Sequence, residues 1–280
     1  MNIKITADST CDLSPELTEK YNITILPLYI VKDGSAFKDM QEIVPQDIFD
    51  HVSAGGAITS TAAINVQDYI DYWTPLLKEY DAIIHVNISS DFSSCYQNAC
   101  TAAKEFENVY VIDSRNLSTG SGHIVLEAAE MAMNGAKPKK IVDEMNALTA
   151  KVEASFVIDK LDYLRKGGRC SALAALGANL LSLRPCIEVK DGKMGVGKKY
   201  RGKFDVCIEK YVTERLEGRD DIRTKRIFIT HSPCDKAIVD NVRKIIKKLY
   251  NFDEIIETNA GCTVSSHCGP NTLGILFIRK

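Results

Sequence analysis

Hydroxyl-rich segments directly follow three of the predicted strands. They occupy residues 8–10, 89–94 and 113–119, and a fourth segment, residues 59–61, can reach the same place. Loops after parallel strands share one edge of a sheet, and that edge is where α/β proteins bind ligands. Hydroxyls together with the N–H groups of helix N-termini favour an anion such as a carboxylate or a phosphate. The alternative is that these residues only cap helices.

A histidine near the C-terminus is the second candidate for chemistry. His267 stands among small residues in the segment 265–274, which precedes the last predicted strand and which we expect to be a loop close to a ligand. A hydrolase would join a serine, this histidine and a carboxylate, and a thiol site would join it to Cys95 or Cys268. The chain has no G-x-S-x-G segment and no thiol signature. A hydrolase or acyltransferase therefore stays an alternative, beside a histidine held only by backbone partners.

Two glycine-rich segments resemble phosphate loops incompletely. Residues 192–199 approach the Walker pattern, but Lys199 stands where a serine or threonine should bind Mg²⁺. Gly120 and Gly122 lack the third glycine of a dinucleotide fingerprint, because Val125 stands in its place. We interpret the first segment as a hairpin turn and the second as the start of a helix.

The order of the predicted elements indicates two α/β domains. Apolar strands at residues 3–7, 82–88 and 109–112 alternate with helices, and residues 23–31 form one further strand, so the first domain has a parallel sheet between helical layers. The second half combines an Asp191-Gly192 hairpin with later strands and two amphipathic helices, which predicts a two-layer α/β domain with a mixed sheet. An apolar segment at residues 172–181 should be buried. A length of 280 residues suits domains at 1–152 and 153–280.

Composition excludes several classes of function. The net charge of −2 and the pI of about 6.2 lack the basic footprint of a nucleic-acid-binding protein. Nine scattered cysteines without a C-x-x-C pair argue against a metal site or a disulfide framework and favour a reducing cytoplasm. The chain lacks the pattern of a signal peptide, and no segment approaches the roughly 18–20 apolar residues of a membrane span.

Six segments, taken in order, resemble the DegV family. They are ADSTCDL (residues 7–13), TS (59–60), ISSDFSSCY (88–96), the segment from VIDS to STGSG (111–122), LDYLRKGGR (161–169) and SHCGPNTLG (266–274). No single segment is specific, but the ordered set spans nearly the whole chain.

The resemblance implies a two-domain fold with a long-chain fatty acid bound between the domains. Family members are the fatty-acid-binding subunit of a bacterial fatty acid kinase, whose separate catalytic subunit phosphorylates the bound carboxylate to an acyl-phosphate for phospholipid synthesis. The resemblance thus implies a cytoplasmic binding subunit without catalysis of its own or a cofactor, and transient contact with a membrane surface is compatible with that role. A binder of another anionic lipid or metabolite remains an alternative.

The resemblance also assigns residues to the ligand. The carboxylate-binding positions correspond to Thr59, Ser60, Ser93 and Ser94, the late histidine to His267, and the arginine after the double glycine to Arg169. Arg201, in a short basic loop, is a candidate contact to the kinase subunit. The chain departs from the family pattern at four positions: Ala62 replaces a proline, Cys95 and Cys268 replace threonines, and Asn271 replaces a glycine.

Overall fold

The computed structural model describes residues 1–176 and 183–280. Its strands are β1 (Ile3–Asp8), β2 (Ile23–Leu26), β3 (Tyr29–Lys32), β4 (Ser35–Lys38), β5 (Ser60–Ala62), β6 (Ala82–Asn87), β7 (Val109–Asp113), β8 (Val152–Val157), β9 (Leu183–Lys190), β10 (Lys193–Arg201), β11 (Ile222–His231), β12 (Glu254–Asn259) and β13 (Leu273–Arg279). Its α-helices are α1 (Pro15–Lys20), α2 (Pro45–Ser53), α3 (Val66–Leu76), α4 (Cys95–Ala102), α5 (Ser118–Met133), α6 (Pro138–Thr149), α7 (Leu161–Gly167), α8 (Phe204–Leu216), α9 (Lys236–Leu249) and α10 (Cys262–Cys268).

The first sheet is parallel throughout, in the order β2-β1-β6-β7. Every residue of β6 is buried. Because successive side chains of a strand point to opposite faces, both faces of this sheet are covered. The predicted three-layer first domain is confirmed, and its carboxyl edge carries the serine-rich segments.

The second sheet is mixed, in the order β10-β9-β8-β13-β11-β12. Only the β11–β12 pair is parallel among the described pairs of this sheet. Helices α8 and α9 bury their apolar side chains against it. The mixed sheet of the second half is confirmed. The boundary that we propose between residues 152 and 153 falls at the start of β8.

Helix α5 lies between the two sheets. It contacts β1 and β6 of the first sheet and β8, β11 and β13 of the second. Residues 118–129 of this helix are buried, which explains why all of them except His123 and Glu127 are small or apolar. Gly120 is required there, because a Cβ at that position would lie 2.1 Å from Oδ1 of Asn116.

One strand prediction is wrong. Residues 23–31 form two strands, β2 and β3, which belong to different sheets. Pro27 stands between them, and a proline has no N–H to continue a ladder. Strand β3 instead pairs antiparallel with β4 and β5, a three-stranded sheet that the sequence did not indicate.

The predicted Asp191-Gly192 hairpin is confirmed. Strands β9 and β10 pair antiparallel around these two residues, whose φ angles are 49° and 79°. Positive φ at both central residues is the geometry of a type I′ turn, so the Walker-like segment is a hairpin and not a phosphate loop. The apolar segment 172–181 falls largely outside the described residues, although Leu173 is buried.

Neither a membrane span nor a metal cluster occurs in the described part of the chain. No helix there is both long and apolar enough to cross a bilayer. No group of three or more His, Cys, Asp or Glu side chains there is arranged to hold a metal ion.

Candidate functional site

A cavity of about 160 Å³ lies where the carboxyl edge of the parallel sheet meets the second half of the chain. Both halves contribute to it. Its polar lining residues are Thr61, Ser93, Ser94, Arg169, Thr263 and His267, and its main apolar ones are Leu28, Ile88, Phe92, Leu117, Met194 and Val264. One end of the cavity therefore offers hydrogen-bond partners and the rest offers apolar surface.

The cavity continues between the start of α5 and the second sheet. A smaller cavity, of about 20 Å³, shares Leu117, Val264 and Cys268 with the first. It is lined further by the apolar residues Phe156 and Leu276 and by the polar residues Ser118, Thr230, His231, Ser232 and Thr272. The described residues thus form a path that starts at hydroxyls and leads into the apolar interior. Such a path suits an amphipathic molecule with one polar end.

His267 is brought to the polar end by α10. Its Nε2 lies 2.9 Å from Oγ1 of Thr61 on β5, and its Nδ1 is buried without a hydrogen-bond partner among the described residues. The ring rests against Gly167, where a Cβ would come within 2.2 Å of Nδ1. This close approach explains the first glycine of the double-glycine segment. The segment 262–268, part of which we expected to be a loop, is helical because a distant carboxylate, Asp39, accepts hydrogen bonds from the N–H groups of Cys262 at 2.8 Å and Thr263 at 3.2 Å. The N–H of the preceding Gly261 donates to Oδ1 of Asp12 at 2.8 Å.

The imidazole of His267 is neutral at physiological pH. Burial, followed by the positive charge of Arg169, lowers the pKa of His267 to about 4 from its ordinary value of 6.5. Nδ1 is the ring nitrogen without a hydrogen-bond partner among the described residues. We place the lone pair on Nδ1, because a buried N–H group without an acceptor is rarer in proteins than a buried acceptor without a donor. The proton then sits on Nε2 and is donated to Thr61, whose own hydroxyl proton is free for a ligand.

The titration of His267 tests this electrostatic picture. In delipidated protein, we expect ¹⁵N NMR to show one protonated and one unprotonated ring nitrogen, with no change between about pH 5.5 and 8. Replacing Arg169 by glutamine should raise the midpoint, because it removes a nearby positive charge. Lys166→Gln, a change at an exposed neighbour that does not line the cavity, is the matched control. A midpoint near 6.5 in the unsubstituted protein would contradict the burial of the neutral ring.

The serine loop follows β6 and leads into α4. Oγ of Ser93 accepts a hydrogen bond from the N–H of Cys95 at 3.2 Å and donates to its Sγ at 3.1 Å. Ser94 is exposed at the N-cap of α4. Both residues line the cavity.

The described geometry offers little to a hydrolase. Burial raises the pKa of Cys95 to about 11 and that of Cys268 to about 12, so both are thiols and not thiolate nucleophiles at neutral pH. Ser93 bonds to Cys95 while His267 bonds to Thr61, so the serine–histidine contact is not made among these residues.

Arg169 connects the two halves of the chain at the mouth of the cavity. Its Nη1 donates to the carbonyl of Gly167 at 2.7 Å, and its Nε donates to the carbonyl of Phe92 in the serine loop at 3.4 Å. The residue is exposed. Its guanidinium is therefore positioned by backbone carbonyls and not by a carboxylate.

Three of the predicted residues do not line the cavity. Thr59 is buried behind it, with Oγ1 at 2.8 Å from Oγ of Ser266, and Ser60 is exposed. Arg201 is exposed at the far end of β10, seven residues beyond Met194 and so about 20 Å along the strand at about 3.3 Å per residue. Thr61 lines the cavity. The sequence predicts the segment 59–61 near this edge of the sheet, but the residues assigned to the carboxylate are Thr59 and Ser60 and not Thr61.

Comparisons with known proteins agree with this geometry. A model of the family described as "Uncharacterised protein, DegV family" matches residues 2–280. A Thermotoga maritima protein named fatty acid-binding protein is 31% identical over 288 residues, which cover 98% of this chain and 96% of that protein. The solved structure of a DegV family protein from Thermus thermophilus, described by its fatty acid binding, has a TM-score of 0.90 and 29% identity, with both chains covered completely. A stearic acid-binding protein from Eubacterium ventriosum has a TM-score of 0.84 and 25% identity, covering 99% of this chain and 98% of that one. The resemblance seen in six ordered segments is confirmed, and the chain belongs to the DegV family.

Proposed function

We propose that this protein encloses one long-chain fatty acid between its two domains and presents the carboxylate to a separate kinase subunit. The observation that carries the proposal is the cavity that runs from Thr61, Ser93 and His267 towards apolar surface between α5 and the second sheet. The fatty acid-binding protein of Thermotoga maritima and the stearic acid-binding protein of Eubacterium ventriosum support the same ligand class. The protein has no catalytic role of its own in this scheme, needs no cofactor and works in the cytoplasm.

The alkyl chain supplies the affinity. A C16 acid has about fifteen carbons beyond its carboxylate, which at about 0.8 kcal/mol each correspond to a gross transfer free energy of about 12 kcal/mol. Losses of translational and conformational freedom offset a large part of this. The polar end therefore mainly sets which way the lipid enters.

The carboxylate is held by neutral donors. The hydroxyl of Thr61 donates to it, and His267 fixes this hydroxyl through Nε2. The hydroxyl of Ser93, which donates to Sγ of Cys95 in the structure, turns to the carboxylate when the lipid binds. Arg169, at the mouth, supplies positive charge. Because hydroxyls bind without enclosing the anion in a tight ion pair, one carboxylate oxygen stays available to attack the γ-phosphate of ATP on the partner.

The polar end is also within reach of a partner. Ser94 and Arg169 line the cavity and are exposed at the surface. Arg201, about 20 Å along β10 from the cavity, would meet the same kinase subunit away from the lipid. Thr59 and Ser60 do not bind the carboxylate directly in this scheme. Thr59 holds the start of β5 against α10 through Ser266, and Ser60 is the first residue of β5.

Mass spectrometry of small molecules released from purified, denatured protein tests the lipid assignment. We expect a near-stoichiometric long-chain fatty acid, and a loss of affinity of about tenfold for Ser93→Ala and for Thr61→Val, each of which removes a hydrogen bond to a charged group. Ser60→Ala is the matched control, since Ser60 is exposed and outside the cavity lining. A protein that stays empty after incubation with C14–C18 acids would refute the assignment.

The kinase step has its own test. With ATP and the catalytic subunit added, acyl-phosphate should form only when both proteins and the lipid are present. Arg201→Ala should slow this step without changing the amount of lipid retained. Unchanged phosphorylation in this variant would remove Arg201 from the proposed interface.

A further inference from the structure

A second and larger cavity, of about 610 Å³, lies between the two halves of the chain. It shares no lining residue with the lipid cavity. Its volume falls within the roughly 300–1,000 Å³ of small-molecule sites. The cationic residues that line it are Arg115, Lys190, Arg215, Arg219 and Arg279.

The lining carries an excess of positive charge. Five cationic side chains face three carboxylates, those of Glu153, Glu188 and Asp191. Glu153 alone accepts two hydrogen bonds from Arg219 and one from Arg215, all at 2.8 Å, and lies 3.3 Å from Nε of Arg279. Arg215 also donates to Glu188 at 3.1 Å, and Arg219 also pairs with Asp221 at 2.7 Å. Most of these charges are therefore paired with carboxylates, and a ligand would depend on the donors that stay free.

The opposite wall holds Arg115 in a fixed position. Its Nη1 donates to Asp91 at 2.8 Å and to Oγ of Ser90 at 3.2 Å, and its Nη2 donates to the carbonyl of Asp191. Its guanidinium lies flat on Gly192, where a Cβ would come within 2.5 Å of the guanidinium carbon. The glycine of the hairpin turn therefore serves the placement of this arginine as well as the turn itself.

Hydrogen-bond donors remain at this cavity. Among the described residues, Nε of Arg115 and Nη1 of Arg279 donate no hydrogen bond. The side chains of Arg115, Arg279 and Lys190 are 36%, 41% and 78% exposed, so a ligand can reach them.

We propose that this arginine-lined cavity binds a small molecule bearing a phosphate or pyrophosphate group. The planar fork of a guanidinium matches two oxygens of a phosphate, and several forks around a half-enclosed space favour a compact polyanion over an extended one. The site is independent of the lipid proposal, because none of its residues line the lipid cavity.

Isothermal titration of the full chain with inorganic pyrophosphate tests the site. We expect one pyrophosphate per chain and an affinity that falls with added salt. Arg115→Gln and Arg279→Gln should each weaken binding about tenfold or more, as expected for loss of a hydrogen bond between charged groups. Lys190→Gln, at a largely exposed position, should weaken it as well and keeps the test valid if an arginine variant does not fold.

Arg243→Gln is the matched control, because Arg243 pairs with Glu257 on another face and does not line the cavity. Binding lost in the cavity variants and kept in this control would support the site. No binding at millimolar pyrophosphate, or equal binding in all variants, would overturn it. Retention of the fatty acid should be unchanged throughout, so the two proposals fail separately.

Discussion

Replacing Asp39 by alanine should lower the free energy of unfolding by about 3–5 kcal/mol. Its side chain is buried and accepts hydrogen bonds from two regions distant in sequence. Oδ1 accepts from the N–H of Cys262 at 2.8 Å, and Oδ2 accepts from the hydroxyls of Thr263 at 2.6 Å and Ser9 at 2.8 Å. Alanine would leave all these donors buried and unpaired. Asparagine should also destabilise, since its NH₂ group would face donors.

The same change should weaken lipid binding. Helix α10, which Asp39 caps, contributes Thr263, Val264, His267 and Cys268 to the lipid cavity. Loss of the cap lets the helix shift, and His267 then loses its place beside Thr61. Stability should be measured by urea unfolding of delipidated protein, because bound lipid stabilises the folded state by itself. Retention is measured on separately purified, lipid-loaded protein.

Asp33→Ala is the matched control for this prediction. Asp33 lies beside β4 like Asp39, but its side chain is 67% exposed and its ion pair with His51 spans 3.4 Å. We expect a change within about 0.5 kcal/mol. If Asp39→Ala were as stable as this control, the capping of α10 by Asp39 would not hold the site together.

Local patterns were sufficient to predict the parallel sheet and the hairpin of the mixed sheet, but not the three-stranded sheet. The apolar run of β6 and the alternation with helices indicated a parallel sheet buried on both faces, and Asp191-Gly192 indicated a hairpin. These elements could be predicted because the residue types that favour the strand or the turn are also the ones that set which side chains are buried. The serine loop could likewise be placed at the carboxyl edge of the parallel sheet, because loops after parallel strands meet there. The place of His267 beside it was implied by the resemblance to the DegV family and not by this geometry.

The polar end of the lipid cavity depends on contacts that local patterns do not contain. Helix α10 exists because Asp39, 223 residues away in sequence, satisfies its first N–H group. Thr61 faces the cavity because β5 pairs with β3, and this pairing requires the chain to leave the first sheet at Pro27. Tertiary pairing overrides local preference in such short segments.

Arg226 should stabilise the contact between the two halves of the chain by about as much as Asp39 stabilises the position of α10. Only 2% of its side chain is exposed. Its Nη2 donates to Glu130 on α5 at 2.8 Å, its Nε donates to Glu254 on β12 at 2.7 Å, and its Nη1 lies 3.6 Å from Glu127. One guanidinium therefore joins the helix between the sheets to the second sheet.

Arg226→Ala should lower the free energy of unfolding by about 3–5 kcal/mol, because it removes a buried guanidinium that three carboxylates share. Glu254 is then left with Lys20 at 3.7 Å, whereas Glu127 and Glu130 keep Lys225. Lys236→Ala, which breaks only an exposed pair with Asp240, should change it by less than about 1 kcal/mol. Urea unfolding followed by both fluorescence and circular dichroism measures the difference. Because Trp73 lies in the first half, fluorescence reports that half, and non-coincident transitions in Arg226→Ala would show the halves unfolding separately. A loss no larger than that of the Lys236 variant would mean that apolar packing around α5, and not this charge network, holds the halves together.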